Sequence, residues 1–256
     1  MLKKITLIGS GNVAHNLGHA FISHGIEIVE VYSRTLKNAK LLALQLDSNY
    51  TSDLSKINKE SDLYIIASSD DSIIEIAEQL NLKDRLVVHT SGSVGIEVLK
   101  STTSNYGSFY PLQTFTKSHL TDFTNVPFCI EGNSNKYKKD LIELAYLLSN
   151  RVIEMDSEQR SNLHLAAVFT SNFSNYMQVI AQDICESKEV DFNLLKPLIK
   201  EVFEKNLIDK AEKNQTGPAL RDDEFTMNKH IDLLKEDKET QDLYTLISSM
   251  ITKRFN

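Results

Sequence analysis

The 256-residue sequence has little of what marks several protein classes: it contains no tryptophan, two cysteines and four prolines. Cys129 and Cys185 are too few and too far apart for a disulfide framework, so both are expected to be small buried residues. Basic residues are outnumbered, 28 against 35 acidic ones, which gives a formal net charge of −7. This balance argues against nucleic acid or an anionic membrane as the main partner.

Long apolar runs are also missing, and none approaches the ~18 residues that a membrane-spanning helix needs. The apolar stretch after Lys3 and Lys4 ends at Gly9, which is too short for the core of a signal peptide. Hydrophobic residues make up 41% of the chain and charged residues 25%, enough to bury a core. We therefore expect a soluble, cytoplasmic protein.

The first part of the chain alternates short apolar runs with stretches of helical periodicity. Strands are predicted at residues 5–8, 28–32, 63–67, 86–88, 108–110, 127–130 and 152–153. Helices are predicted at residues 12–23, 36–46, 72–80 and 136–148. Strands without polar alternation, separated by helices, indicate a doubly wound parallel sheet covered on both faces, which is an α/β fold.

The rest of the chain has helical spacing and almost no strand pattern, over residues 157–187, 191–212 and 223–253. Its one strong break is Thr216-Gly217-Pro218, because glycine ends helices and proline suits the first turn of the next. The sequence therefore predicts two domains: an α/β domain at residues 1–155 and an all-helical C-terminal domain at residues 156–256.

The sharpest local signal is a glycine turn that follows the first strand and opens the first helix. It has the form G-x-G-x-x-A and comprises Gly9, Ser10, Gly11, Asn12, Val13 and Ala14. In this position the motif predicts a Rossmann-like domain whose turn binds the pyrophosphate of a dinucleotide. The alternative is a turn that only packs the helix on the strand.

The end of the second strand indicates which dinucleotide is bound. NAD-binding domains usually carry Asp or Glu about 20 residues after the turn, where it binds the ribose 2′-hydroxyl. This chain instead has Ser33, Arg34 and Thr35, and its nearest acid, Glu30, lies inside the strand. The hydroxyls and the guanidinium suit a 2′-phosphate, so NADP is the predicted cofactor. The alternative for Arg34 is a solvated loop residue.

Polar residues follow three further strands, where ligands of open α/β sheets gather. Ser68 and Ser69 are expected along the dinucleotide path. The next two residues, Asp70 and Asp71, are expected to cap a helix that begins near Ser72, with a catalytic role as the alternative.

His89 is a candidate catalytic residue, with a backbone-bonded strand-end histidine as the equally favoured alternative. Ser91, Tyr110 and Gln113 are candidate substrate-binding residues.

Other chemistries have little support in the sequence. His15 and His19 lie one turn apart on the first helix, but no third ligand accompanies them, so no metal site is predicted and their role stays open. No G-x-S-x-G elbow and no P-loop occurs, which leaves hydrolase and nucleotide-phosphoryl-transfer functions without a motif.

Several motifs occur together in order along the chain. They are the glycine turn, Tyr32-Ser33-Arg34-Thr35, His89-Thr90-Ser91-Gly92, Tyr110-Pro111-Leu112-Gln113, His164-Leu165-Ala166-Ala167 and Thr216-Gly217-Pro218-Ala219-Leu220-Arg221. In this combination the whole chain resembles the proteins that join a Rossmann-like domain to a DUF2520 domain. That group is similar to pyrroline-5-carboxylate reductases and F420-dependent NADP oxidoreductases. Tyr110 is a departure, because other members have His before the Pro-Leu-Gln run.

The resemblance implies an N-terminal NADP-binding domain and a helical domain that builds a homodimer. It also implies that the helix after Ser157 faces the nicotinamide, which makes His164 a candidate proton donor and Asn172 a candidate for orienting the substrate. The alternatives are an interdomain histidine and an asparagine that cross-links helices. Arg221 is a candidate for binding a substrate carboxylate, with a salt bridge to Asp222 as its alternative.

The predicted function is an NADP-dependent oxidoreductase that transfers hydride between the nicotinamide and a small C=O or C=N substrate, in a cleft between the sheet and the helical domain. One alternative is an NADP(H)-binding sensor or regulatory protein without turnover. A second is an F420-linked NADP reductase.

Overall fold

The computed structural model describes residues 2–256, and its centre is one eight-stranded sheet. The strands are β1 (Lys4–Ile8), β2 (Glu27–Tyr32), β3 (Asn49–Thr51), β4 (Leu63–Ile66), β5 (Lys83–His89), β6 (Thr103–Pro111), β7 (Phe128–Gly132) and β8 (Val152–Glu154). Their order is β3-β2-β1-β4-β5-β6-β7-β8, and every neighbouring pair is parallel except β6 and β7. The carboxyl ends of β1, β2, β4, β5 and β6 therefore share one edge of the sheet.

Helices cover both faces of this sheet, as the apolar strands require. They are α1 (Asn12–Ser23), α2 (Leu36–Gln45), α3 (Asp70–Gln79) and α4 (Asn135–Leu148). Alternate strand residues enter two separate cores: Leu7 and Ile65 pack with α1, α2 and α4, whereas Ile8 and Ile66 pack with α3. Burial on both faces explains why the strands lack polar alternation, and the predicted Rossmann-like α/β fold is confirmed.

The described residues divide into two compact units, one up to Ser171 and one from Asn172 to Asn256. Helix α5 (Ser157–Ala167) belongs to the first unit, and a π-helical turn, Val168–Phe173, follows it. The second unit contains α6 (Ser174–Ser187), α7 (Lys196–Ile208), α8 (Glu224–Leu233) and α9 (Lys238–Phe255). The predicted helical C-terminal region is confirmed, whereas the domain boundary after residue 155 stays a prediction.

Three local features differ from the sequence prediction or add to it. Helix α3 begins at Asp70 with Ser69 as its N-cap, so the prediction that Asp70 or Asp71 caps a helix from Ser72 is wrong. Both acids instead lie in the first turn, where their negative charges interact favourably with the positive end of the helix dipole. Strand β3 was not located from the sequence, and the antiparallel direction of β7 was not predicted.

In the second unit, a capping side chain and a glycine mark the start of α8 and the break before it. Asp223 caps α8 by accepting a hydrogen bond from the Thr226 backbone N–H. Gly217, in the predicted break, has a φ of +109° and lies between α7 and α8. Throughout residues 2–256, no helix has the length and apolar character needed to cross a membrane.

Candidate nucleotide-binding and catalytic site

The turn after β1 needs glycine at one position and leaves open space at another. Gly9 has a φ of +135°, and a Cβ there would overlap the backbone carbonyl of Ala67. Gly11 is the N-cap of α1, and a Cβ built on it would meet no protein atom within 4 Å. No side chain caps α1 and no acid lies in its first turn, so the helix presents free N–H groups and its positive dipole end.

Residues at the end of β2 lie next to this turn. The Ser10 hydroxyl donates a hydrogen bond to the Ser33 hydroxyl over 2.9 Å, which joins the two loops. Arg34 is exposed and forms no salt bridge with any described residue. Thr35 is the N-cap of α2, but its side chain makes no capping hydrogen bond. The guanidinium and the Thr35 hydroxyl are thus available to a ligand.

All ten residues predicted to bind the dinucleotide line one cleft of about 470 Å³. They are Gly9, Ser10, Gly11, Asn12, Val13, Ser33, Arg34, Thr35, Ser68 and Ser69. The structure adds Tyr32, Asn38, Ala67, Ile76 and Lys117 to the lining. Among these described residues the two charged side chains, Arg34 and Lys117, are both cationic, in a protein of net charge −7. An uncapped helix N-terminus beside two cations fits a dinucleotide phosphate.

A second group of residues meets further along the same edge of the sheet. The Tyr110 hydroxyl, at the end of β6, lies 3.0 Å from Nδ1 of His164 on α5. Burial, with a smaller contribution from Cys129, raises the pKa of Tyr110 to about 12, so its phenol is neutral at neutral pH. Gly92, in the loop after β5, packs against the same ring. A Cβ built on Gly92 would lie 2.6 Å from Cγ of His164. The structure thus brings the predicted residues Tyr110 and His164 together.

His89 occupies a different environment from His164. Its side chain is fully buried, and its Nδ1 accepts a hydrogen bond from the Ser91 backbone N–H over 3.2 Å. Burial, reinforced by the nearby Arg160 charge, lowers the pKa of His89 to about 4. The ring is therefore neutral at physiological pH and bonded to backbone, which corresponds to the alternative that the sequence left open.

The Ser91 hydroxyl holds the loop that follows β5 and contains Gly92. It accepts hydrogen bonds from the backbone N–H groups of Ser93, at 3.1 Å, and Val94, at 3.0 Å. The Ser93 hydroxyl in turn donates to the Asp70 carboxylate at the start of α3. Asp70 is thus tied to the loop after β5 and does not cap a helix.

A buried ion pair that the sequence did not reveal attaches α5 to the sheet. The Arg160 guanidinium, with no exposed surface, pairs with Glu131 on β7. It also donates hydrogen bonds to the Val94 carbonyl at 2.7 Å and to the Ser157 hydroxyl at 3.1 Å. Arg160 is visible as a charge in the predicted helix, but no local pattern indicates that Glu131 faces it.

The remaining predicted residues, Gln113, Asn172 and Arg221, all have exposed side chains. Gln113 is exposed, and its side-chain oxygen accepts a hydrogen bond from the neighbouring Thr114 N–H at 2.8 Å. Asn172 is exposed in the π-helical turn and begins the second unit. Arg221 is exposed at the end of the short turn Ala219–Arg221 and makes no ion pair with Asp222 or any other described residue.

His15 and His19, whose role the sequence left open, are neighbours on α1. The rings of His15 and His19 pack edge to face, with their centroids 4.7 Å apart. Within residues 2–256, no cluster of three or more His, Cys, Asp or Glu side chains is arranged to hold a metal ion.

Comparisons with known proteins agree with this architecture. Residues 4–92 match the family described as NADP oxidoreductase, coenzyme F420-dependent, and residues 126–251 match the domain of unknown function DUF2520. No curated protein gives a significant sequence match.

Solved structures match along almost the whole chain. A Bacteroides fragilis protein, provisionally named an NADP oxidoreductase, is 40% identical, with 98% of each chain covered and a TM-score of 0.93. An imine reductase from Myxococcus stipitatus in complex with NADP+ is 15% identical, covering 98% of this chain and 93% of its own, with a TM-score of 0.69. A 1-pyrroline-5-carboxylate reductase from Streptococcus pyogenes is 11% identical, with 98% of each chain covered and a TM-score of 0.62. The last two share the fold.

The N-terminal match, the DUF2520 match and the 40% identity over nearly the whole chain point the same way. The chain belongs to the family of NAD(P)-dependent oxidoreductases that joins an F420-dependent-type NADP oxidoreductase domain to a DUF2520 domain.

Proposed function

We propose that this protein is an NADP-dependent oxidoreductase that transfers hydride between the nicotinamide and a small C=O or C=N substrate. The observation that carries the proposal is the cleft at the N-terminus of α1, where free helix N–H groups adjoin Arg34 and hydroxyl side chains. Such a site attracts the phosphates of a dinucleotide, and the carboxyl edge of a Rossmann-like sheet is where that ligand binds.

NADP is favoured over NAD by the charges at the end of β2. The nearest acid, Glu30, is buried inside the strand and accepts a hydrogen bond from the Asn58 backbone N–H at 2.7 Å. Its carboxylate is therefore committed elsewhere and does not serve a ribose 2′-hydroxyl. Arg34 carries a planar, unpaired guanidinium instead, which suits a 2′-phosphate.

His164 is the proposed proton donor. In the imidazolium form of His164, Nδ1–H donates to the oxygen of the neutral Tyr110 hydroxyl, and Nε2–H is left for the substrate. When bound, the nicotinamide supplies the hydride to the substrate carbon. The imidazolium then gives its Nε2 proton to the carbonyl oxygen or imine nitrogen, the product is an alcohol or amine, and the neutral ring takes up a new proton from water.

Other residues complete the proposed site without acting on the reacting atoms. Asn172 orients the substrate, while Ser91, Gln113 and Arg221 contribute polar contacts, with Arg221 suited to a carboxylate. His89, neutral and bonded to backbone, positions the loop that closes on His164.

A homodimer through the helical unit is part of the proposal. In the second unit, the buried hydrophobic residues are Cys185 and Ala219 alone, whereas Leu207 and Ile208 are each 87% exposed. Such a helical unit needs a covering surface, and a second copy supplies one. Sedimentation equilibrium tests this, since a monomer at micromolar concentration contradicts it. We assign the protein to the cytoplasm, in keeping with its two free, buried cysteines.

Calorimetric titration of the cofactor-free protein with NADPH and, separately, NADH tests the cofactor. The wild type should bind NADPH more tightly, and Arg34→Ala should lose roughly 10-fold or more of NADPH affinity with little change for NADH. Arg151→Ala, an exposed arginine outside the cleft, is the matched control and should leave both unchanged. Equal losses in Arg34→Ala contradict the 2′-phosphate assignment, and absence of binding in the wild type overturns the proposed function.

Turnover separates the enzyme from its rivals. NADPH oxidation is measured with a panel of small imines, ketones and keto acids, using His164→Ala as the variant that should lose activity while still binding NADPH. A protein that binds NADPH but never consumes it is a sensor. Because residues 4–92 match a family described as F420-dependent, the deazaflavin is included, and a change in its absorbance with NADP present identifies an F420-linked reductase.

A further inference from the structure

We infer that Lys117, on the loop after β6, is a second binding residue for the 2′-phosphate of the cofactor, together with Arg34. The inference rests on the proposed function and adds a residue from outside the Rossmann motifs. No sequence pattern marks this lysine, because it lies far along the chain from both the glycine turn and the end of β2.

The first observation is the charge of the cleft. Lys117 and Arg34 are its two charged lining residues among those described, and both are exposed. Many other lysines of this chain lie in ion pairs, such as Lys56 with Asp53 and Lys138 with Glu154, but Lys117 forms no salt bridge in residues 2–256. Two unpaired cations in one cleft repel each other. A bound dianion offsets this repulsion because it attracts both of them.

The second observation is how firmly the loop is held on α1. The Asn12 side chain donates a hydrogen bond to the Phe115 carbonyl at 2.8 Å. The buried Asn16 side chain donates to the Thr116 carbonyl at 2.9 Å and accepts from the Thr121 N–H at 2.8 Å. These contacts bracket residue 117, so the loop brings the lysine to the cleft with little remaining backbone freedom to lose on binding.

The side chains of Phe115 and Phe123 secure the same loop. Their ring centroids are 5.6 Å apart, and Phe123 is buried in the core against Phe128 at 5.7 Å. The loop is therefore anchored on both sides of the lysine by apolar packing as well as by asparagine hydrogen bonds. An anchored cation is what a phosphate site requires.

The third observation separates the 2′-phosphate from the pyrophosphate. Lys117 is close enough to His15 for its charge to add to burial and to His19 in lowering the pKa of that imidazole. Arg34, Thr35 and Asn38 lie at the start of α2 and line the same cleft. Lys117 thus lines the same cleft as the start of α2, where the 2′-phosphate is expected.

The test compares Lys117→Met with Lys40→Met, a control that removes an exposed α2 lysine outside the cleft lining. Calorimetry is run on the full-length variants with NADPH, NADH and adenosine 2′,5′-bisphosphate. Lys117→Met should lower the affinity for NADPH and for the bisphosphate by roughly 10-fold, and the affinity for NADH by less than about 2-fold. Lys117→Arg, which keeps the positive charge, should keep most of the wild-type affinity for NADPH. Lys40→Met should match the wild type.

Two results overturn the inference. Unchanged NADPH affinity in Lys117→Met shows that the lysine does not contact the cofactor, and equal losses for NADPH and NADH show that it serves the pyrophosphate. In both cases the wild type still binds NADPH, so the proposed function stands. If the wild type binds neither dinucleotide, the proposed function fails and this inference fails with it.

Discussion

The Arg160 guanidinium has no exposed surface and is paired with the Glu131 carboxylate, which joins α5 to the antiparallel strand β7. Residues four apart lie on one face of a helix, so Arg160 and His164 share a face of α5. One is tied to β7 and the other, through Tyr110, to β6. Two polar links at adjacent turns therefore fix the ring of the proposed proton donor relative to the sheet.

Removing the cation should destabilise the protein strongly. Arg160→Met leaves the Glu131 carboxylate without its cation, with the Ser157 hydroxyl as its remaining donor, and the Val94 carbonyl without the Arg160 hydrogen bond. We expect the free energy of unfolding to fall by about 3 kcal/mol or more. Urea denaturation measures the change, with the exposed Arg151→Met as a control that should shift by less than about 0.5 kcal/mol. The double variant Arg160→Met/Glu131→Met should recover part of the loss, and a single variant as stable as the wild type would contradict the role of the pair.

Two glycines in the loop after β5 provide a matched test of the His164 position. An added Cβ on Gly92 would lie 2.6 Å from Cγ of His164, whereas one on Gly95 would lie 3.7 Å from the Ser157 hydroxyl, an ordinary contact. Gly92→Ala should therefore displace the ring, cost about 1–3 kcal/mol of stability and weaken the Tyr110–His164 hydrogen bond. Gly95→Ala should be near neutral. Denaturation and the imidazole NMR signals of His164 report both effects, and identical behaviour of the two variants would refute the close approach.

The sequence predicts best those features whose causes are local. The glycine turn, the N-terminus of α1 and the end of β2 are each set by a few consecutive residues, and all ten residues predicted to bind the dinucleotide line one cleft. The start of α3 was misplaced because Ser69 and Asp70 are both good capping residues. The structure gives the cap to Ser69, while Asp70 accepts a hydrogen bond from Ser93, whose position depends on the neighbouring strand.

Features that depend on distant segments could not be found in this way. Lys117 enters the cleft because Asn12 and Asn16 hold its loop on α1, and nothing within the loop itself indicates that contact. The Arg160–Glu131 pair depends on the antiparallel direction of β7, which places Glu131 opposite Ser108 of β6. Charge alone made Arg160 indistinguishable from a solvated helix residue.

Stability should fall as the pH drops below the ordinary histidine range, because of His89. Its pKa is about 4 in the folded protein and about 6.5 when unfolded, so between these values the unfolded state binds the proton preferentially. The contribution of His89 to stability is complete above pH 6.5. Between pH 7.5 and pH 5, the free energy of unfolding should fall by about 2 kcal/mol because of this residue. His89→Asn keeps an acceptor for the Ser91 N–H but does not titrate. Urea denaturation at both pH values measures the free energy of unfolding. Between pH 7.5 and pH 5 the variant should lose about 2 kcal/mol less than the wild type. Equal losses in the two proteins would contradict the shifted pKa of His89.

Gly9 and Gly11 separate the folding and binding roles of the turn. Gly9→Ala forces a Cβ into the Ala67 carbonyl at a φ of +135°, so we expect a protein that folds poorly or not at all. Gly11→Ala meets no protein atom, and its backbone φ of −76° suits alanine, so the variant should fold and lose only about 1 kcal/mol or less, because alanine is a poorer N-cap than glycine.

The Gly11→Ala methyl group nevertheless lies where a pyrophosphate would approach the N-terminus of α1. Its affinity for both NADPH and NADH should fall by roughly 10-fold or more, because the phosphate is held away from the helix N–H groups. Calorimetry on the folded variant distinguishes this from the Lys117 and Arg34 variants, in which the loss is confined to NADPH. A Gly11→Ala protein that is stable and binds both dinucleotides as the wild type does would mean that the open space at the helix N-terminus is not where the cofactor lies.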